Sequence, residues 1–110
     1  MKIAILLKSA PPSIEACRAL QLTADMLSQG HSVNLYLLQD AVRFCRPDLK
    51  NASSKEFNRL ADEKLNVSYL IQDAELRGID IKSVKPEMSG GDFEKLMDLM
   101  ESSERVIGLL

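Results

Sequence analysis

The two cysteines are the side chains of this chain best suited to nucleophilic chemistry. Cys45 lies close to Arg43 and Arg46, and neighbouring cations lower the pKa of a thiol and make it more reactive. Cys45 also shares a helical face with Val42, so burial is the preferred interpretation and Cys45 is only an alternative catalytic residue. Cys17 is expected to be buried on the apolar face of the first helix, because cysteine is often a small core residue.

Neither cysteine belongs to a recognised metal-binding or disulfide pattern. The chain has no Cys-x-x-Cys motif and a single histidine, His31, whereas zinc sites combine several such ligands at short spacings. We therefore expect no metal site and no cofactor. Reduced thiols are typical of cytoplasmic proteins, so a cytoplasmic location is predicted.

Polar residues follow two of the apolar segments. Gln39 and Asp40 come after one, and Gln72 and Asp73 come after another. The carboxyl ends of parallel strands meet at one edge of a sheet, where ligands bind. Paired carboxylates can perform acid–base chemistry, but aspartates also cap helices, and capping is the preferred interpretation. The predicted cleft contains Lys8, Ser9, Gln39, Asp40, Leu70, Gln72 and Asp73.

The loop after the first apolar segment argues against common phosphate-binding folds. Dinucleotide sites and P-loops need glycines there, whereas this loop reads Lys8-Ser9-Ala-Pro-Pro and has none. Lys8 and Ser9 could contact a phosphate, although an ordinary solvated loop is favoured. A phosphoacceptor domain is excluded, because it would need acidic residues at this place.

Apolar runs alternate with segments of helical periodicity along the chain. Runs typical of strands cover residues 2–8, 31–38, 67–71, 79–84 and 105–110. Helices are predicted over 13–30, 53–65 and 93–100, short helical turns at 41–45 and 73–77, and a loop at 46–52. This alternation predicts an α/β fold, a three-layer α/β/α sandwich with a mostly parallel sheet of about five strands. One domain is expected over residues 1–110.

Two of the predicted helices have apolar faces that suggest how they pack. The first begins at a Ser13 cap and ends at Gly30. Its expected buried face consists of Ile14, Cys17, Leu20, Ala24 and Leu27. The last helix has a broader face that could contact another subunit or the core of the same chain; it consists of Phe93, Leu96, Met97, Leu99 and Met100. The preceding Ser89–Asp92 segment is predicted to be flexible backbone with a cap.

The overall composition is that of a globular protein. Its 110 residues suffice for a core without disulfides. A net charge of −2 gives no basic surface for nucleic acid or an anionic membrane. No apolar run reaches the roughly 20 residues that a membrane-spanning helix requires. We therefore expect neither nucleic-acid nor membrane partners.

Several short segments occur in the order and spacing of a known family. They are Gln29–His31, Val33–Leu38 followed by Gln39–Val42, Leu76–Ile79, and Ser103–Ile107. In this order they resemble the DsrE/DsrF-like proteins over nearly the whole chain. The resemblance implies a small cytoplasmic α/β protein that forms homo- or hetero-oligomers, often trimers or hexamers.

The resemblance also indicates where a functional cysteine would be found. In sulfur-relay members a cysteine at the end of the central strand carries a persulfide, several residues before a Leu-Arg-Gly-like segment. Aligning Gly78 with the family glycine puts that position at Leu70, or at Ile71 with a one-residue gap. Persulfide relay needs a thiolate, which neither side chain supplies.

Three hypotheses follow. The leading one is an oligomeric family member without relay chemistry, associated with sulfur-relay proteins. The second is a sulfurtransferase that uses Cys45. The third is a small-molecule or nucleotide-binding module whose ligand contacts are Lys8, Ser9, Gln39, Asp40 and Gln72.

Overall fold

The computed structural model describes residues 1–11, 13–46, 52–62 and 65–109, and its strands form one parallel sheet in the order β4-β3-β2-β1-β5. The strands are β1 (Lys2–Leu7), β2 (Ser32–Leu37), β3 (Asn66–Leu70), β4 (Met88–Gly91) and β5 (Arg105–Leu109). The α-helices are α1 (Ile14–Ser28), α2 (Ala52–Asp62), α3 (Ile71–Leu76) and α4 (Phe93–Ser102). Two 3₁₀ helices cover Gln39–Cys45 and Ile81–Ser83. Every described strand pair is parallel, so the predicted α/β class is confirmed.

The sheet separates two apolar cores of unequal size. Ile3, Ile5 and Leu7 of β1 point into the larger core, which packs against α1, α2 and the first 3₁₀ helix. The smaller core lies on the other face of the sheet, where α4 is the helix that packs among the described residues. This core consists of Tyr36, Leu38, Leu70 and Leu96, with Leu6 and Leu99 at its margin. The helices on the two faces give the expected three layers.

Helix α1 is rotated relative to the predicted orientation. Ile14 is 66% exposed and Cys17 is also exposed, so the prediction that both are buried is wrong. Leu20 is buried as predicted, and Ala24 and Leu27 are partly buried against the larger core. The other buried side chains of the helix are Ala16, Ala19 and Thr23. Alanines let the helix backbone approach the sheet closely, which the larger apolar side chains would prevent. The predicted Ser13 cap is confirmed, because its Oγ accepts the Ala16 N–H at 3.1 Å.

The fourth strand lies later in the chain than predicted. The predicted strand at 79–84 is wrong, since Ile81–Ser83 is a 3₁₀ helix whose N-cap, Asp80, accepts the Lys82 N–H. β4 is Met88–Gly91, so it overlaps the Ser89–Asp92 segment that is predicted to be flexible. An ideal Cβ on Gly90 would lie 2.8 Å from Ile71 Cγ1, so close packing explains this glycine.

The chain boundaries around the other elements agree with the predictions within a few residues. The turn predicted at 73–77 is helix α3, which begins two residues earlier and includes Ile71. The turn predicted at 41–45 is the first 3₁₀ helix, beginning at Gln39. Helix α2 begins at Ala52. The loop predicted at 46–52 lies largely outside the described residues.

Candidate functional site

A cleft of about 550 Å³ opens where α3, the end of β4 and the start of α4 meet. Leu70, Ile71 and Phe93 contribute apolar side chains to its wall, and Gly90 and Gly91 contribute bare backbone. Leu70 ends β3 and is buried in the smaller core, while Ile71 begins α3 and packs against the larger core. The cleft therefore lies at the carboxyl edge of the sheet, between its two layers of helices.

The polar lining of the cleft carries charges of both signs. Gln72 and Glu75 come from α3, and Asp92 and Lys95 come from the start of α4. Asp92 Oδ1 accepts the Lys95 backbone N–H at 2.8 Å and so caps α4. Glu75 and Lys95 make no ion pair with any described residue. Their charges are therefore available to a ligand.

Tyr36 supports the cleft from inside the smaller core. Its hydroxyl donates a hydrogen bond to the Asp92 carbonyl oxygen at 2.9 Å. An ideal Cβ on Gly91 would lie 2.8 Å from Tyr36 Oη, so the strand backbone rests directly on this phenol. Burial, followed by the nearby charges of Asp92 and Asp73, raises the pKa of Tyr36 to about 12. Tyr36 is therefore neutral at physiological pH and positions the turn between β4 and α4.

A second polar cluster, next to the cleft, brings together residues from the ends of β2 and β3. The Gln39 N–H donates to Asp73 Oδ2 at 2.7 Å. Arg77 Nε donates to Asp40 Oδ1 at 2.9 Å, and Arg77 Nη1 donates to the Asp73 carbonyl oxygen at 3.2 Å. Gln39 has a left-handed backbone conformation with φ of 48°, which costs energy for a residue with a side chain. These contacts tie the first 3₁₀ helix to α3.

Asp40 and Asp73 therefore converge as predicted, but both of them contact Arg77. The preferred interpretation of these aspartates as caps of their own helices is wrong, because neither helix has a side-chain cap. Asp73 accepts the backbone N–H of Gln39 instead. With an arginine between them, these carboxylates hold two elements together, and they are not a pair that could share a proton.

The structure distributes the predicted cleft residues over three places. Leu70 and Gln72 line the cleft, whereas Gln39, Asp40 and Asp73 belong to the Arg77 cluster. Lys8 and Ser9 follow β1 and do not line the cleft; the Lys8 carbonyl oxygen accepts the Ala41 N–H at 3.2 Å.

The half of the cleft that follows β4 is absent from the prediction. Its residues are Gly90, Gly91, Phe93 and Lys95, and they depend on a strand that was predicted at the wrong place. The informative signal was the sequence Gly90-Gly91-Asp92, since glycines next to a capping aspartate can mark the point where a strand closely approaches a helix.

Neither cysteine reaches the cleft. Cys45 is 3% exposed, and burial raises the pKa of its thiol to about 12, which leaves almost no thiolate at neutral pH. Beside it, the rings of Phe44 and Phe57 stack with centroids 4.8 Å apart. Cys17 lies on the exposed side of α1. Burial of Cys45, the preferred interpretation, agrees with the structure.

The described residues contain neither a metal-binding cluster nor a membrane-spanning helix. No group of three or more His, Cys, Asp or Glu side chains there could hold a metal ion. No helix in the same part of the chain has the length and apolar character required to cross a membrane.

Comparison with known proteins identifies relatives of the whole chain. A family model described as the DsrE/DsrF-like family matches residues 1–109. The crystal structure of the ychN protein from E. coli is similar with a TM-score of 0.86 and 21% identity, over 98% of each chain. MTH1491 from Methanobacterium thermoautotrophicum, a protein of unknown function, has a TM-score of 0.78 and 8% identity, over 98% of this chain and 99% of its own. No curated protein sequence matches. The two solved structures thus support the fold, and the family model confirms the resemblance found in the sequence.

Proposed function

This chain belongs to the DsrE/DsrF-like family, and we propose that it is an oligomeric member linked to intracellular sulfur relay that does not itself carry a persulfide. The supporting observation is the wall of the cleft at the end of β3. Leu70 and Ile71, the positions where the family resemblance puts the relay cysteine, contribute only hydrocarbon there.

Relay chemistry needs a nucleophile that these residues lack. In a relay step a thiolate attacks the terminal sulfur of a donor persulfide, a new S–S bond forms, and the donor leaves as its thiolate. Cys45 is poorly suited to this role in the folded protein, because its thiol is buried and its pKa is raised to about 12. A sulfurtransferase that uses Cys45 is therefore disfavoured.

Mass spectrometry after incubation with a persulfide donor tests this proposal. We expect Cys45 in the folded chain to gain no sulfur, a gain being about 32 mass units. Cys17 is exposed and could react without any built site, so the measurement is made on the native chain and on Cys17→Ser. Persulfide on Cys45 in folded Cys17→Ser would refute the proposal and restore the sulfurtransferase hypothesis.

Oligomer formation is part of the same proposal, and the outer face of α4 supports it. Phe93, Met97 and Met100 are 56%, 60% and 39% exposed, at the spacing of one helical stripe. Val106 of β5 is also exposed. Contiguous exposed apolar side chains mark interaction surfaces. We propose a homo-oligomer, a trimer or hexamer as the family resemblance implies, that acts with sulfur-relay proteins in the cytoplasm. A monomer mass by light scattering at micromolar concentration would contradict it.

A second candidate function is a small-molecule-binding module, which the cleft itself favours. A volume of about 550 Å³ lies within the roughly 300–1,000 Å³ typical of ligand sites, and the lining is apolar with a few polar groups. Of the residues expected to bind a nucleotide, only Gln72 lines this cleft.

A further inference from the structure

We propose that the cleft binds a small apolar zwitterion, with the chemistry of a free amino acid or dipeptide that bears a hydrocarbon side chain. In this arrangement Lys95 holds the ligand carboxylate and Glu75 holds its ammonium group. The proposal rests on the second candidate function, a small-molecule-binding module, and is independent of persulfide chemistry.

The apolar part of the cleft suits a hydrocarbon side chain. Leu70 is buried at the base, Ile71 is partly buried, and the Phe93 ring is more than half exposed. An apolar group that covers the exposed parts of Ile71 and Phe93 gains about 25 cal/mol for each Å² removed from water. Gly90 and Gly91 have no side chains, so the Ile71 side chain and the Lys95 stem pack directly on β4 and lie side by side with it in the cleft wall.

The charges at the cleft select a zwitterion over a simple anion. Glu75 and Asp92 contribute two negative charges and Lys95 one positive charge, so the lining has a net charge of −1. A phosphate or nucleotide would be repelled by this excess. Asp92 already accepts the Lys95 backbone N–H as a helix cap, which leaves Glu75 as the acid without a partner in the described chain.

Lys95 lies at the edge of the cleft where it can act as a ligand contact. An ideal Cβ on Gly91 would lie 2.6 Å from Lys95 Cδ, so the lysine stem packs on the strand where that glycine leaves space. Glu75 projects from α3, so the two opposite charges come from different elements that both line the cleft.

A ligand titration monitored by NMR tests this proposal. The native ¹⁵N-labelled chain is titrated with L-leucine and with leucyl-leucine, and the amide resonances of Gly90 and Gly91 are followed. We expect one or both probes to shift these resonances saturably. The stronger probe distinguishes an amino acid from a dipeptide as the preferred size.

Analogues and variants then assign the two charges. Lys95→Met keeps the stem and removes the charge, and we expect it to weaken binding of the better probe about fivefold. The amide of that probe, which lacks the carboxylate, should bind the native chain and Lys95→Met equally. Glu75→Gln should weaken the probe similarly but leave its N-acetyl form unaffected. The control Lys82→Met, on the second 3₁₀ helix and away from the cleft lining, should bind like the native chain.

Three results would overturn the proposal. These are no shift at Gly90 and Gly91 up to high millimolar probe, equal binding of the charged probe and its amide by the native chain, or equal loss in Lys82→Met and Lys95→Met. None of them bears on the persulfide experiment, so this proposal can fail while the proposed relay-related function stands.

Discussion

Replacing Gly91 with alanine should destabilise the fold through one contact, that between β4 and the Tyr36 hydroxyl. The new Cβ would lie 2.8 Å from Tyr36 Oη, which is held in place because it donates to the Asp92 carbonyl oxygen. The Lys95 Cδ atom, 2.6 Å away, belongs to a flexible side chain and can move. Overpacking of this kind costs about 1–3 kcal/mol, and we expect a loss in that range.

A double-mutant cycle separates this contact from a general effect of alanine. Tyr36→Phe removes the hydroxyl and its hydrogen bond, at a cost of about 1 kcal/mol. In that background the alanine Cβ has room, so Gly91→Ala should cost at least about 1 kcal/mol less than in the native chain. Urea unfolding monitored by circular dichroism gives the four free energies of unfolding.

Gly108→Ala is the matched control for the cycle. Gly108 lies in β5, and an ideal Cβ there meets no atom within 4 Å, so this substitution should be neutral or slightly stabilising. Equal costs of Gly91→Ala with and without the hydroxyl would refute a contact between β4 and Tyr36, as would a cost of Gly108→Ala equal to that of Gly91→Ala.

Three further predictions concern the Arg77 cluster, the buried thiol and the outer face of α4. Arg77→Met should lower the free energy of unfolding in urea by only about 1 kcal/mol, because the ion pair of Arg77 with half-exposed Asp40 is screened by solvent. Arg43 Nε lies 3.8 Å from the same carboxylate, so Arg43→Met should cost less; equal losses would contradict this ranking. Burial raises the pKa of Cys45 from 9.0 to about 12, so the contribution of the neutral thiol to stability is complete below pH 9 and is lost as the pH rises toward 12. Cys45→Ala should therefore lose less stability over that interval than the native chain. Parallel pH profiles of the two proteins would argue against a buried thiol. Met97→Asp puts a charge in the exposed apolar stripe and should yield monomers by light scattering, whereas an unchanged oligomer mass would exclude this face as the interface.

The sheet could be predicted from the sequence because its central strands are covered on both faces. The segments that form β1 and β2 are mostly apolar and only six residues long, which is typical of buried parallel strands. Their order in the chain, alternating with helices, then required a parallel sheet. The caps at Ser13 and Asp92 could also be predicted, since a capping contact is local in sequence.

The errors arose where packing depends on small residues. β4 has the sequence Met-Ser-Gly-Gly, and only Met88 among these residues gives an apolar signal. Alanines, rather than the larger Ile14, face the sheet in α1 because they permit close approach. Half of the cleft was consequently missed, as Gly90 and Gly91 form its wall only when β4 is in place.

The most direct test measures whether the chain gains sulfur from a persulfide donor. It compares the chain with and without a cysteine at position 71. In the Cys17→Ser background, the folded chain should gain no sulfur by mass spectrometry. Ile71→Cys in the same background should gain about 32 mass units on the new residue, because Ile71 lines the cleft and is only partly buried. Sulfur on Cys45 in the folded chain, or none on the cysteine introduced at position 71, would contradict the claim that a missing thiol in this cleft is what separates the protein from persulfide carriers.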